Sequence, residues 1–134
     1  MSDFVYTKAL EAFADKLLDW DTDNTKVVLC TSGYVEVQAT DQYLSDIAAG
    51  YRVATSGNLS GKSLTNGVCD ASDVTITAVA GSAVTHLAVY QDSGSPATSR
   101  LLAHIDSYAG LPFTPNGGDV TITWPNDANK IFKI

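Results

Sequence analysis

Residues 84–106 read VTHLAVYQDSGSPATSRLLAHID, two strand-like runs around an eight-residue connection. Val84–Gln91 and Arg100–Asp106 carry the apolar and branched residues, while Gly94 and Pro96 punctuate the middle. Read as a β-hairpin, this stretch puts Leu87 and Val89 on one face with Leu101, Ala103 and Ile105. The other face carries His86, Tyr90, Arg100, His104 and Asp106. Pairing residue 91 with 99 would set His86 opposite His104, although a slip of one residue removes that pairing.

The same period-two pattern recurs on both sides of the hairpin. Lys26–Cys30 is a short apolar run that reads as a buried strand. Tyr51–Thr55, Ser60–Leu64, Val74–Val79, Val120–Trp124 and Lys130–Lys133 are further strand candidates, separated by glycines. Tyr43–Ile47 reads as a single helical turn. The pentapeptide Asp-Val-Thr-Ile-Thr occurs at both 73–77 and 119–123. Five residues do not make a duplicated fold, and both copies read as one half-buried strand pattern used twice. Pro125 ends the second, because proline cannot donate to a ladder.

Only Asp3–Asp19 has a helical period. Tyr6, Leu10, Phe13 and Leu17 recur at that spacing, with Ser2 or Asp3 as the cap and Trp20 at the close. These signals predict a mainly β chain: an antiparallel β-sandwich or barrel, jelly-roll-like, with one N-terminal α-helix. The 134 residues fit one domain, with the helix within 3–20 and the β-domain over 26–134.

Charge narrows the partners. The net charge is −7 and no window holds a basic stripe, which argues against nucleic acid and anionic membranes. No apolar run approaches the ~20 residues that span a bilayer. Met1-Ser-Asp-Phe shows neither a basic start nor an apolar leader core, so synthesis in a cytoplasm is expected, with Cys30 and Cys69 as free, buried thiols.

No motif for chemistry is complete. Gly57–Ser63 has three residues between its glycines where a phosphate-binding loop needs four. Asp19, Asp21 and Asp23 open like a calcium loop, but Asn24 and Cys30 stand where glycine and glutamate are required, which leaves a solvated acidic turn. His86 and His104 with Asp106 could supply three metal ligands, yet no cysteine or glutamate is placed to complete the set, so both read as surface or interface histidines. The two glutamates are Glu11 on the helix and Glu36 in a loop-like stretch. Nothing resembles a nucleophile elbow or an oriented triad. No catalytic, cofactor-binding or metal residue is assigned. The expectation is that the polar side chains decorate turns and strand surfaces without converging on a reactive centre.

Gly110–Gly118 reads as a stiff loop, since two prolines fix φ and glycines allow tight reversal. Its Leu111, Pro112, Phe113, Pro115 and Asn116 are candidate contacts for a neighbouring subunit. Ile131, Phe132 and Ile134 form a C-terminal strand that could pair with a neighbour at an open edge.

Several stretches together resemble a group of small proteins encoded among the structural genes of tailed bacteriophages and prophages. They are Tyr43–Ile47, Gly50–Gly57, Leu59–Ser63, Gly67-Val68, Asp70–Thr75, Gly110–Asp119 and Lys130–Ile134. The resemblance covers most of the chain and rests on turn and strand motifs. It implies a non-enzymatic virion component, first a capsid decoration (cement) protein on the head surface. Such a protein binds between major capsid proteins, often as a trimer, and stabilises the head. A tail, neck or fibre-associated protein is the alternative within that class, and a carbohydrate-binding β-sandwich the alternative outside it.

Overall fold

The computed structural model describes residues 3–108, 110–125 and 130–134. Among the described residues, ten strands lie in three antiparallel sheets with one α-helix, so the mainly β, antiparallel class is correct. The strands are β1 (Phe4–Val5), β2 (Thr25–Cys30), β3 (Arg52–Thr55), β4 (Ser63–Thr65), β5 (Val68–Asp70), β6 (Val74–Ile76), β7 (His86–Gln91), β8 (Arg100–Ile105), β9 (Val120–Ile122) and β10 (Phe132–Lys133). The main sheet has the order β1-β8-β7-β2-β3, a second sheet the order β10-β5-β4, and β6 pairs with β9 alone.

Strands β2, β7 and β8 are buried on both faces over most of their length. That explains their near-continuous apolar sequences, since a strand covered on both sides gains from apolar residues at every position. The hairpin forms as expected, but its register is not the simple one. Gln91 pairs with Arg100 and Tyr90 with Leu101, after which a shift at Val89/Tyr90 sets Val89 against Ala103 and Ala88 against His104. The expected polar face of this hairpin is covered too. Both His86 and His104 are buried, which corrects their reading as surface or interface residues.

Part of the cover comes from the N-terminal arm, where Phe4 stacks on His104, and part from Tyr34, which lies against His86. The helix α1 spans Thr7–Ala14 only, not the expected 3–20, and residues 4–5 form a strand on the edge of β8. Helical spacing misleads because it counts Leu10 and Leu17, both of which are exposed, whereas Tyr6, Ala9 and Ala12 face the core. The cap at Tyr6 uses no side chain. Asp3 instead accepts the backbone N–H groups of Asp106 (2.7 Å) and Ser107 (3.0 Å), which fastens the arm to the end of β8. Ser2, the other expected cap, lies outside the described residues. Lys16 ends the helix in the left-handed region at φ 63°. Its N–H donates to the Phe13 carbonyl and that of Leu17 to the Ala12 carbonyl, the bond pair of a Schellman turn.

The repeated pentapeptide has a use that the sequence does not reveal: its two copies pair with each other. Val74 faces Ile122, Thr75 faces Thr121 and Ile76 faces Val120. The pairing is locally two-fold, with the Thr75 and Thr121 hydroxyls 2.9 Å apart at its centre. Each copy's aspartate caps the other: Asp73 accepts the Trp124 N–H (3.0 Å) and Asp119 the Ala78 N–H (3.1 Å). Asp73→Ala and Asp119→Ala should therefore each cost about 1 kcal/mol. The two urea midpoints should shift alike, and unequal shifts would show the caps are not equivalent.

Candidate functional site

The buried polar face of the hairpin is where side-chain chemistry gathers. His104 on β8 and His86 on β7 are diagonal neighbours, with ring centroids 4.9 Å apart. Phe4, cross-strand from His104, stacks on that ring at 4.9 Å and 12°. Tyr34 lies over His86 at 5.5 Å. The same segment, Thr31 to Asp41, also carries Glu36, whose carboxylate reaches within 3.4 Å of His104 Nε2. One ligand atom from each of Glu36, His86 and His104 lies within 4.8 Å of the others. Histidine and carboxylate therefore converge here, against the expectation that the polar side chains stay dispersed over turns and strand surfaces. The third member of the group is Glu36 rather than Asp106.

This segment is held on either side of Glu36. Tyr34 donates its hydroxyl to Asp41 (2.7 Å), and the Val37 N–H donates to the same carboxylate oxygen (2.9 Å). The Tyr34 oxygen lies 2.8 Å from the Tyr6 hydroxyl. Because Tyr34 spends its proton on Asp41, Tyr6 must be the donor in that second bond. A hydroxyl relay thus ties the helix start to the segment that carries Glu36.

The imidazoles are poorly satisfied. His86 Nδ1 is 2.9 Å from the Thr85 hydroxyl, whereas His86 Nε2 and both ring nitrogens of His104 have no hydrogen-bond partner among the described residues. Glu36 Oε1 approaches His104 Nε2 at 3.4 Å, an ion-pair distance without hydrogen-bond geometry. A buried, unpaired polar group costs about 1–3 kcal/mol, so three together call for a compensating partner.

Burial is the main cause that holds both rings below the ordinary histidine pKa. For His86 the neighbouring His104 adds to it, while Glu36 and Asp106 oppose it. For His104, Glu36, Asp106 and Asp3 oppose it. The unfolded chain therefore binds protons at a pH where the folded one does not. Stability should fall as the pH drops below about 6.5, toward the depressed folded values. Urea titrations in chelator from neutral pH down to about 5 check this. The slope should flatten in a His86→Gln/His104→Gln double variant.

The other residues singled out in the sequence are dispersed. Pro112 and Asn116 are exposed, and Leu111, Phe113 and Pro115 are half-buried. The loop is fastened at Phe113, which exchanges both backbone bonds with Val84 (2.8 and 3.1 Å), and at Gly117 and Gly118, which bond to Val79. Ile131 and Phe132 are core residues, while β10 itself stands at the end of the second sheet with β5 as its neighbour. Of the three C-terminal candidates only Ile134 is exposed to a neighbour. The acidic turn satisfies itself, since Asp23 accepts the Asp19 N–H and Asp19 that of Asp21. Burial pushes both thiols, Cys30 and Cys69, up to about 12, so neither is a poised nucleophile.

A groove of about 580 Å³ runs past Phe4, Tyr108, Trp124 and Phe132. No helix among the described residues is long and apolar enough to cross a membrane. No protein-family model matches the chain, and no curated protein matches it.

Proposed function

We propose that this chain is a non-enzymatic structural protein of a tailed-phage virion, a decoration protein that binds between major capsid proteins and reinforces the head. The observation that carries the reading is the Gly110–Asp119 loop, one of the stretches that resemble phage structural proteins. It is tied to Val84 at Phe113 and to Val79 at Gly117 and Gly118, and it presents Pro112 and Asn116 to solvent. A loop ordered before contact loses little conformational entropy on docking, which favours a contact element over a hinge. The acidic surface, at net charge −7, fits a protein that contacts protein rather than packaged DNA. A trimer is the expected state, as is common among cement proteins.

The test is decoration in vitro. Heads assembled without this protein are incubated with the purified chain, sedimented, and assayed for bound protein and for resistance to heating. Saturable binding with improved head survival supports the proposal, and Pro112→Ala/Asn116→Ala should weaken it. Binding to tails but not heads would move the protein to the tail. Binding to a glycan array but to neither particle would replace the structural reading with a lectin-like one.

A further inference from the structure

We propose that Glu36, His86 and His104 form a binding site for one divalent transition-metal ion of the zinc class. The site is separate from the contact loop and does not depend on the virion reading. Its ligand atoms are the Glu36 carboxylate, His86 Nε2 and one ring nitrogen of His104.

Four independent features of the molecule converge on this. First, the donor set is right: two imidazoles and a carboxylate bind borderline ions such as Zn²⁺ or Co²⁺, whereas Mg²⁺ and Ca²⁺ favour all-oxygen sites. Second, the imidazoles are short of hydrogen bonds, the approach of Glu36 to His104 Nε2 at 3.4 Å being an ion-pair contact without hydrogen-bond geometry. His86 Nε2 and both His104 nitrogens are buried without a hydrogen bond among the described residues, and His104 is only 1% exposed. Third, His86 is anchored from behind. The Thr85 hydroxyl lies 2.9 Å from His86 Nδ1; in the tautomer with the proton on Nδ1 the hydroxyl accepts it and the lone pair is on Nε2. This is the outer hydrogen bond that a metal-bound histidine usually makes. Fourth, Phe4 and Tyr34 pack on the two rings and hold their planes.

The ligand atoms lie within 4.8 Å of one another, and a tetrahedral ion needs them roughly 3.4 Å apart. Glu36 can supply the adjustment. Its side chain is 25% exposed, on a segment outside the strands, whereas both histidines are fixed in the sheet. That exposure also gives the ion its way in. With three protein ligands the fourth position is left to water. The ion would join β7, β8 and the Thr31–Asp41 segment, and so stabilise the fold by mass action.

The test uses the full, untagged chain, stripped with chelator and titrated with ZnCl₂ by calorimetry, with CoCl₂ as the optical probe. One ion per chain is expected, with a tetrahedral-type Co²⁺ absorption and a raised melting temperature. Glu36→Gln should weaken Zn²⁺ binding at least tenfold. Glu11→Gln, the same change at the exposed helix glutamate, should leave binding unaltered. His86→Gln and His104→Gln should abolish it. Should either misfold, Glu36→Gln stays decisive, because its side chain lies outside the sheet. In the wild type, Zn²⁺ should shift the imidazole nitrogen resonances of both histidines together. No saturable binding of Zn²⁺ or Co²⁺, or unchanged affinity in Glu36→Gln, overturns the proposal.

Discussion

Trp20→Ala should lower the unfolding free energy by about 3–5 kcal/mol, the largest effect expected of any single truncation here. Trp20 follows the helix, is buried, and meets Phe132 edge-on at 5.3 Å between centroids. Its indole N–H donates to the Ser63 carbonyl (2.9 Å) and lies 3.3 Å from that of Asp70. These partners belong to β4, β5 and β10, so one side chain from the segment between α1 and β2 docks the whole second sheet. Alanine would leave a cavity and remove the donor from both carbonyls at once. A domain of this size has about 5–15 kcal/mol in total, so the variant should fold only marginally. Trp20→Phe keeps most of the ring and loses the donor, and should cost about 1–2 kcal/mol. Urea unfolding followed by circular dichroism measures both. Equal costs for the two variants would show that packing contributes nothing beyond the hydrogen bond.

Tyr34→Phe is expected to cost about 2–3 kcal/mol, and Tyr6→Phe about 1. The difference follows from the direction of the relay. Tyr34 donates to the Asp41 carboxylate and accepts from Tyr6, so removing its oxygen breaks a charge-assisted bond and orphans the buried Tyr6 hydroxyl. Removing the Tyr6 hydroxyl leaves the stronger bond in place. Burial, the main cause, raises the pKa of both phenols, which stay protonated throughout the working range. The double variant should cost little more than Tyr34→Phe alone, because both changes act on one network. An additive double variant would contradict the relay.

The parts of the fold legible in the sequence are those set by neighbours in the chain. Residues 84–106 announce a hairpin because period-two runs flank a turn-rich connection. The same pattern marks the strands at Thr25–Cys30, Arg52–Thr55 and Val120–Ile122. What escapes depends on distant segments. Neither the pairing of Gln91 with Arg100 instead of residue 99 nor the shift at Val89/Tyr90 leaves a mark in composition, and together they make the histidines diagonal rather than opposite. Their burial depends on Phe4 and Tyr34, which are far away in sequence. Glu36 looks like an ordinary loop residue for the same reason. Pairing between the two Asp-Val-Thr-Ile-Thr copies spans 46 residues, and a repeat does not say that its copies meet. Two-residue β1 and three-residue β5 are too short to show a period at all. The helical spacing overextends α1 because Leu10 and Leu17 fit it, although the turn at Lys16 has already ended the helix.

The role assigned to the chain is tested most directly by finding it in the particle. Cryo-electron microscopy of the intact phage, combined with protein quantification, gives both location and copy number. Many copies in clusters of three between capsomers, with the Gly110–Asp119 loop against the shell, are the expected result. A few copies confined to the tail or neck, or none in the purified virion, would contradict it.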